Sequence, residues 1–319
     1  MMPIKWLFRI CIPLTLALLL VSVAVTTVTA RKVNWTSSVA WSSNDQIAIG
    51  TLDGTIEIFN EQRQIVQTFQ MGARVYTLAF SPDGSKIAVG GGSPSIKIWN
   101  MDTGQLDISL VAKAEIWGLG WSPDGNYIAG VEGPEGTGTS IWNVDSGTII
   151  ASDAPGSYSV DWSPDGNKIV IGTYNDTRIL DANTLQTLQT IPMPLAVKYA
   201  TWSPDGTKIA TAQFYTSQSV KISILDVFTG HELHEFLGHT DVIGIVLWSP
   251  DGTTLASGST DGTIRIWNAN SGQLINTIQT DTRVLSLAWS PDGKQIAYGE
   301  PDGILRVIDL NPISVPTPQ

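Results

Sequence analysis

The strongest constraint on the fold is a unit of about 40 residues that the chain repeats seven times. Each unit carries an aromatic residue just before a turn, and successive aromatic residues are 39, 41, 41, 40, 46 and 41 residues apart. These residues are Trp41, Phe80, Trp121, Trp162, Trp202, Trp248 and Trp289. A period of about 40 to 45 residues that contains several short strands is typical of a β-propeller blade. Helical repeats would instead show amphipathic stretches of about ten or more residues, and none is visible.

Each unit contains four short predicted strands. In the last unit, residues 284–290, 295–299 and 304–309 have strand-like patterns separated by turn sequences. The sixth unit shows the fourth strand clearly, after the turn sequence Asn270-Ser271-Gly272. The sequence therefore predicts an all-β, seven-bladed β-propeller of four-stranded antiparallel sheets over residues 31–319.

The turn after the aromatic residue has the sequence Ser-Pro-Asp-Gly in six units, and unit one has Ser42-Ser43-Asn44-Asp45 in its place. Proline presets the first turn position, aspartate hydrogen-bonds the turn backbone, and glycine accepts the positive φ. A circle of such carboxylates suggests a metal site at first. Each aspartate, however, belongs to a different blade and brings no second ligand. We therefore predict that these residues form turns and bind no metal.

The segment Asp261-Gly262-Thr263-Ile264-Arg265-Ile266-Trp267-Asn268, preceded by Gly238-His239, resembles the WD40 repeat. All seven units can be aligned on it, so the resemblance covers residues 31–319. In that family a histidine, a serine or threonine, an aspartate and a tryptophan form a hydrogen-bonded tetrad. The resemblance implies that these are His239, Ser257, Asp261 and Trp267.

Only unit six has all four tetrad residues. Other units have apolar residues at tetrad positions, such as Ile49 and Phe59 in unit one, Leu180 in unit four and Leu225 in unit five. These blades should depend on apolar packing, whereas the buried polar groups of blade six gain partners. We therefore predict that blade six resists local opening best.

No residue pattern predicts catalysis, a cofactor or a metal site. His231 and His234 have the spacing H-E-L-H, whereas a zinc-binding helix needs H-E-x-x-H, and on a strand they would face opposite sides. His239 is the one remaining histidine, and the family resemblance gives it a structural role. Neither a G-x-S-x-G motif nor a glycine-rich phosphate loop is present.

The charge of the chain excludes some partners. It has 18 basic and 29 acidic residues, a net charge of -11, and no basic cluster. Nucleic acid is therefore not a predicted partner, and an anionic lipid surface is disfavoured.

The binding surface that a propeller offers is the mouth of its central channel. Counting back from the aromatic residue of each unit gives two sets of positions on the same side of the innermost strand. Six residues back are Trp35, Arg74, Glu115, Gly156, Ala196, Val242 and Arg283, and four back are Ser37, Tyr76, Trp117, Tyr158, Lys198, Gly244 and Leu285. Tryptophan, tyrosine and arginine dominate the first four units, and these residue types are enriched at interface hot spots.

From these sets we predict a partner-binding site of Trp35, Arg74, Tyr76, Glu115, Trp117, Tyr158, Lys198 and Arg283. The alternative is that these side chains only fill the channel and solvate its rim. The predicted function is a noncatalytic scaffold that binds a protein or peptide at the channel mouth.

Two other functions are compatible with the pattern. A TolB-like exported propeller shares the Ser-Pro-Asp-Gly turn and would also act by binding, although the Ile-Arg-Ile-Trp-Asn strand argues against it. An enzyme or small-ligand binder that uses the channel needs converging acids or histidines, and Glu115 is the one such residue among the fourteen positions.

Residues 1–30 differ from the rest. Lys5 and Arg9 precede 21 uncharged residues that end in small side chains, which is typical of an export signal with a cleavage site after Ala30. The same 21 residues span about 31 Å as a helix, so an uncleaved membrane anchor is equally compatible with their length. Either way, we expect residues 31–319 to lie outside the cytoplasm, in contact with the membrane only through this segment. Cys11 is the single cysteine, so no disulfide is predicted.

Closure of blade seven can follow two routes. Its outermost strand comes either from residues just before Trp35, about 26–33, or from the tail 311–319. The first route overlaps the cleavage site, and it therefore favours retention of the N-terminal segment as an anchor.

Overall fold

The computed structural model describes residues 36–133, 138–152, 156–214, 220–300 and 302–310, together with the backbone of 25–28. It contains seven antiparallel sheets of four strands each, as the repeat predicts. The strands are short, and turns with positive-φ glycines separate many of them. Strand β1 (Val25–Val28) lies apart in sequence from the other strands of its sheet.

The strands of blades one to three run in chain order. They are β2 (Thr36–Trp41), β3 (Ile47–Thr51), β4 (Thr55–Phe59) and β5 (Ile65–Gln70) in blade one; β6 (Val75–Phe80), β7 (Lys86–Gly91), β8 (Ser95–Asn100) and β9 (Leu106–Val111) in blade two; and β10 (Ile116–Trp121), β11 (Tyr127–Glu132), β12 (Gly138–Asn143) and β13 (Ile149–Ala151) in blade three.

The remaining strands follow the same order. They are β14 (Ser159–Trp162), β15 (Lys168–Gly172), β16 (Asp176–Asp181) and β17 (Thr187–Pro192) in blade four; β18 (Ala196–Trp202), β19 (Lys208–Phe214), β20 (Val220–Asp226) and β21 (Glu232–Phe236) in blade five; β22 (Ile243–Trp248), β23 (Thr254–Ser259), β24 (Thr263–Asn268) and β25 (Leu274–Gln279) in blade six; and β26 (Leu287–Trp289), β27 (Gln295–Gly299) and β28 (Leu305–Asp309) in blade seven.

The first strand of each blade lies innermost, and these strands form a closed ring. β2 contacts β6, and so on around the molecule until β26 contacts β2. Between blades seven and one, the Val39 amide donates to Ser286 Oγ over 2.9 Å. The fold therefore has a central axis lined by seven innermost strands.

Strand β1 completes blade seven. It pairs antiparallel with β28, from Val25 opposite Ile308 to Val28 opposite Leu305. The structure thus uses the N-terminal route, and the tail 311–319 lies outside the described residues. The four residues of β1 fall within the segment 1–30 that the sequence assigns to an export signal or anchor.

The core lies between the blades. In the described part of the chain, a cluster of fully or nearly buried apolar side chains fills every interface between neighbouring sheets. At the interface of blades one and seven, Ile49 and Phe59 pack with Leu305 and Val307. Burying such a side chain contributes about 1.5–3 kcal/mol. Because each blade is covered on both faces by its neighbours, stacking in a ring supplies the core that a single sheet lacks.

The Ser-Pro-Asp-Gly turns have a common hydrogen-bond pattern. In blade five, Ser203 Oγ donates to Asp205 Oδ1 over 2.6 Å, and the same oxygen accepts the Thr207 amide over 3.0 Å. Gly206 has a φ of 69°. Partial burial alone would raise the pKa of Asp205, but these hydrogen bonds and Lys208 outweigh it and lower the pKa to about 2. The aspartates therefore stabilise turns, as predicted from the sequence.

Candidate partner-binding site at the channel mouth

The predicted mouth residues lie at one end of the ring. Because the strands of a blade run antiparallel, the Ser-Pro-Asp-Gly turns between first and second strands all lie at one end. The starts of the innermost strands all lie at the opposite end. The positions four and six residues before the aromatic residue of each unit belong to these starts, so they surround one mouth of the channel.

The positions four residues back coincide with β-bulges. In five blades the pairing of first and second strands skips one residue, and the skipped residues are Ser37, Tyr76, Trp117, Lys198 and Gly244. A bulge leaves its extra residue out of the regular ladder and turns its side chain to a new direction. The repeated bulge therefore presents one non-ladder side chain per blade around the mouth.

Aromatic side chains occupy the positions four residues back in blades two to four. The rings of Tyr76 and Trp117 are 5.2 Å apart and inclined by 48°. Trp117 is 45% exposed and Tyr158, in the next blade, is 38% exposed. A contiguous apolar patch that is rimmed by polar residues is typical of an interaction site.

Two charged residues flank these aromatic side chains. Glu115 accepts a long hydrogen bond of 3.4 Å from Trp117 Nε1. The side chain of Arg74 is exposed, and its carbonyl accepts the Gly92 amide over 2.9 Å. The backbone under Arg74 is thus held to the loop after β7 while the guanidinium remains in solvent.

Lys198 occupies the bulge of blade five, next to Tyr158 around the ring. It is half-buried, and burial lowers the pKa of its amine. Within the described ranges, its ammonium has no hydrogen-bond or ion-pair partner.

The structure does not bring all predicted site residues together. Arg74, Tyr76, Glu115, Trp117, Tyr158 and Lys198 lie on the consecutive blades two to five. Arg283 is exposed but precedes blade seven, two blades away from either end of this arc. Trp35 lies outside the described residues. Ser37, the bulge residue of blade one, bonds between blades instead, because its Oγ is 2.6 Å from the Val75 carbonyl oxygen.

Tyr174 is an exposed side chain at this end that counting back from the repeat aromatic residues does not identify. Tyr174 lies in the loop between β15 and β16 and is 66% exposed. Its position between the second and third strands of blade four places it at the same end as Tyr158. The signal in the sequence is an aromatic residue within a polar turn, Tyr174-Asn175-Asp176.

The four residues of the implied tetrad meet in blade six. His239 Nδ1 is 2.8 Å from Asp261 Oδ2, and His239 Nε2 is 2.8 Å from Ser257 Oγ. Trp267 Nε1 donates to Ser257 Oγ over 2.9 Å. Burial lowers the pKa of His239 although Asp261 opposes this effect. A neutral ring fits the geometry, with Nδ1–H donating to Asp261 and Nε2 accepting the Ser257 hydroxyl.

Tryptophans of other blades use partners that the repeat pattern does not reveal. Trp142 Nε1 donates to the Val111 carbonyl of blade two, and Trp121 Nε1 donates to the Ala79 carbonyl of blade two. These bonds join neighbouring sheets, so a buried indole stabilises the ring rather than its own blade. The repeat pattern does not reveal these bonds because their acceptors are backbone carbonyls 31 and 42 residues away in the chain.

The opposite end of the ring carries the Ser-Pro-Asp-Gly turns in close succession. The proline of one turn lies against the glycine of the next, as Pro204 does against Gly252 and Pro250 against Gly293. No cluster of three or more His, Cys, Asp or Glu side chains with metal-binding geometry occurs among the described residues. Nor does the described part of the chain contain a helix with the length and hydropathy that a membrane span requires.

Comparison with known proteins agrees with the repeat architecture. The family model "WD domain, G-beta repeat" matches residues 228–268 and 272–309. The model "Anaphase-promoting complex subunit 4 WD40 domain" matches 39–124, and "Eukaryotic translation initiation factor eIF2A" matches 98–235.

Several characterised proteins are similar to this chain. The serine-threonine kinase receptor-associated protein of Gallus gallus is 25% identical over 203 residues, which are 62% of this chain and 56% of that protein. The protein of the same name from Dictyostelium discoideum is 26% identical over 221 residues, 68% of this chain and 70% of its own length. Striatin-3 of Bos taurus is 23% identical over 270 residues, 73% of this chain and 34% of that protein. With these matches and seven closed blades, the chain is a WD40-repeat, seven-bladed β-propeller.

Proposed function

We propose that this chain is a noncatalytic scaffold that binds a protein or peptide at the channel mouth, through the arc Arg74, Tyr76, Glu115, Trp117 and Tyr158. The observation that carries the proposal is the contact between Tyr76 and Trp117 at 5.2 Å, with Trp117 still 45% exposed. Aromatic side chains already held against each other lose little conformational freedom when a partner covers them.

Rigid support strengthens this proposal. Tyr76 and Trp117 both occupy bulges in innermost strands, whose other residues are paired in the ladder and packed between blades. The arc is therefore a preformed surface that presents aromatic area and two opposite charges. Binding energy in such interfaces concentrates on a few aromatic and arginine residues.

The test is a double substitution, Tyr76→Ala with Trp117→Ala, in the full-length chain. Proteins bound in intact cells are captured by a photo-crosslinking side chain placed at Tyr174, which is exposed at the same end of the ring but lies outside the arc, and they are identified by mass spectrometry. We expect the double variant to lose specific partners, because truncation of a hot-spot pair weakens binding by about 30-fold or more.

Phe228→Ala provides a matched control. Phe228 is an aromatic residue that is 79% exposed, and it lies in the turn between β20 and β21 at the opposite end of the ring. This control should retain every partner. Unchanged recovery with the double variant, at an unchanged thermal midpoint, would remove the arc as the binding site.

We also propose that the propeller acts outside the cytoplasm and remains attached to its N-terminal segment. The pairing of β1 with β28 supports this proposal, since cleavage after Ala30 would remove β1 and leave blade seven with three strands. Cell fractionation with N-terminal sequencing tests both parts. Recovery of the chain in the cytoplasm, or a mature N-terminus at Arg31, would contradict the proposal.

A further inference from the structure

The bulge residues around the mouth differ in how their polar groups are satisfied. Ser37 is bonded to the carbonyl of Val75, and Tyr76 packs against Trp117. Lys198 is the one charged residue among these five bulge positions, and its half-buried ammonium meets neither an acceptor nor a carboxylate in the described part of the chain. A cation that has already lost part of its hydration binds an anion at a smaller further desolvation cost.

The positions that line the mouth are more basic than the chain as a whole. Among the fourteen positions that lie four and six residues before the aromatic residues, Arg74, Lys198 and Arg283 are basic and Glu115 alone is acidic. The chain as a whole has 18 basic and 29 acidic residues. A cation at one of these positions favours a negatively charged group of the partner segment beside it.

The order of the residues around the ring adds a second requirement. Trp117, Tyr158 and Lys198 lie near the starts of the innermost strands of blades three, four and five, and β14 contacts both β10 and β18, so the exposed aromatic surface and the cation lie on neighbouring blades. A bound segment that satisfies both must carry a carboxylate next to an apolar or aromatic side chain. A free inorganic anion would pair with Lys198 but leave the aromatic surface uncovered.

We propose that Lys198 binds a carboxylate of an acidic peptide segment in the partner protein, while an adjacent apolar or aromatic side chain of that segment packs on Tyr158 and Trp117. This inference rests on the proposed function and names the chemistry of the partner. The ammonium donates charge-assisted hydrogen bonds to the carboxylate oxygens, which are stronger than bonds between neutral groups.

The experiment is selection of random peptides on phage against the full-length chain in mild detergent. Three targets are compared: the unsubstituted chain, Lys198→Met, and Lys294→Met as a control. Lys294 lies in a Ser-Pro-Asp-Gly turn at the opposite end, and its side chain is 60% exposed. We expect the unsubstituted chain and the control to enrich peptides with Asp or Glu beside an apolar residue, and Lys198→Met to lose the acid.

Affinities of one selected peptide complete the test. Its Glu→Gln version should bind the unsubstituted chain about tenfold more weakly or worse, and should bind Lys198→Met with the same affinity as the acidic peptide. The proposal is overturned if Lys198→Met selects the same acidic peptides, if loss of the acid weakens binding to both chains equally, or if no peptide is enriched.

The failure of this inference can be distinguished from failure of the proposed function. If the selected peptides lack acidic residues and no longer bind after Tyr76→Ala with Trp117→Ala, the mouth is the binding site but Lys198 does not bind a carboxylate there. If acidic peptides bind the double variant as tightly as the unsubstituted chain, the aromatic arc is not part of the binding site.

Discussion

Replacement of Ser257 by alanine removes the hydroxyl that joins Trp267 to His239 in blade six. Ser257 is fully buried, and its Oγ is 2.9 Å from Trp267 Nε1 and 2.8 Å from His239 Nε2. The substitution leaves an indole N–H and an imidazole nitrogen buried without partners. Each such group costs about 1–3 kcal/mol, and relaxation of the side chains around the missing hydroxyl recovers part of the sum, so we expect blade six to lose about 2–4 kcal/mol against local opening.

Thr211→Val is the matched control, because Thr211 has the same place in blade five as Ser257 in blade six. Leu225 stands there in place of the tryptophan, so no indole depends on the threonine. Gln213 Nε2 is 3.3 Å from Thr211 Oγ1 but has a shorter bond of 2.8 Å to Ser223 Oγ. The control should therefore cost less than about 1 kcal/mol.

Amide hydrogen exchange followed by mass spectrometry measures each blade separately, which suits a repeat protein whose blades can open locally. In the unsubstituted chain, blade six should exchange most slowly of the seven. Ser257→Ala should accelerate its exchange by about 30- to 900-fold, the equivalent of about 2–4 kcal/mol. The reasoning is refuted if blade six opens first in the unsubstituted chain, or if Ser257→Ala has no greater effect than Thr211→Val.

Three further predictions concern the pH dependence of blade six, the close packing at Gly91 and the closure of blade seven by β1. Burial holds the pKa of His239 below its ordinary value of 6.5 despite Asp261, so the unfolded chain binds a proton at this residue more readily than the folded chain. The stability of blade six should therefore be present above about pH 6.5 and be lost as the pH falls through the lowered pKa. His239→Gln should flatten the dependence of the denaturant midpoint on pH between about pH 7 and 5. Gly91→Ala should lower the thermal midpoint, at a cost of about 1–3 kcal/mol, because the added Cβ would overlap the Arg74 carbonyl oxygen. Gly120→Ala is the control, because the atom nearest to its added Cβ is Cδ1 of Trp162, 3.6 Å away. Equal midpoints for the two variants would contradict this prediction. A chain that begins at residue 31 should lose amide protection in β28, since its edge loses β1, and unchanged exchange there would show that closure does not depend on β1.

Much of the fold was predictable because its determinants are local. The aromatic residue and the Ser-Pro-Asp-Gly turn recur every 39 to 46 residues, and both act on a few neighbouring positions. The four strands of each blade follow from the same turn chemistry. The implied tetrad could also be assigned residue by residue, since Ser257, Asp261 and Trp267 lie on the successive strands β23 and β24 and the turn between them.

The candidate site was predictable only as a set of equivalent positions. Counting from the aromatic residue identifies the seven starts of the innermost strands, but equivalent positions need not have equivalent roles. Ser37 turns to the Val75 carbonyl of the next blade, whereas Trp117 remains exposed at the same place in blade three. These differences depend on contacts between blades, and they have no counterpart in the repeat pattern.

The sequence by itself determined the number of blades, the four-stranded sheet in each and the end of the ring at which the turns lie, because periodicity and turn chemistry act within a single unit. The tertiary structure decided that β1 closes blade seven, that Tyr76 packs against Trp117, and that Lys198 is left half-buried without a partner in the described part of the chain. Such features depend on which units become neighbours when the ring closes. The distance between a side chain and an atom of the next blade is therefore a property of the assembled propeller and not of the repeat.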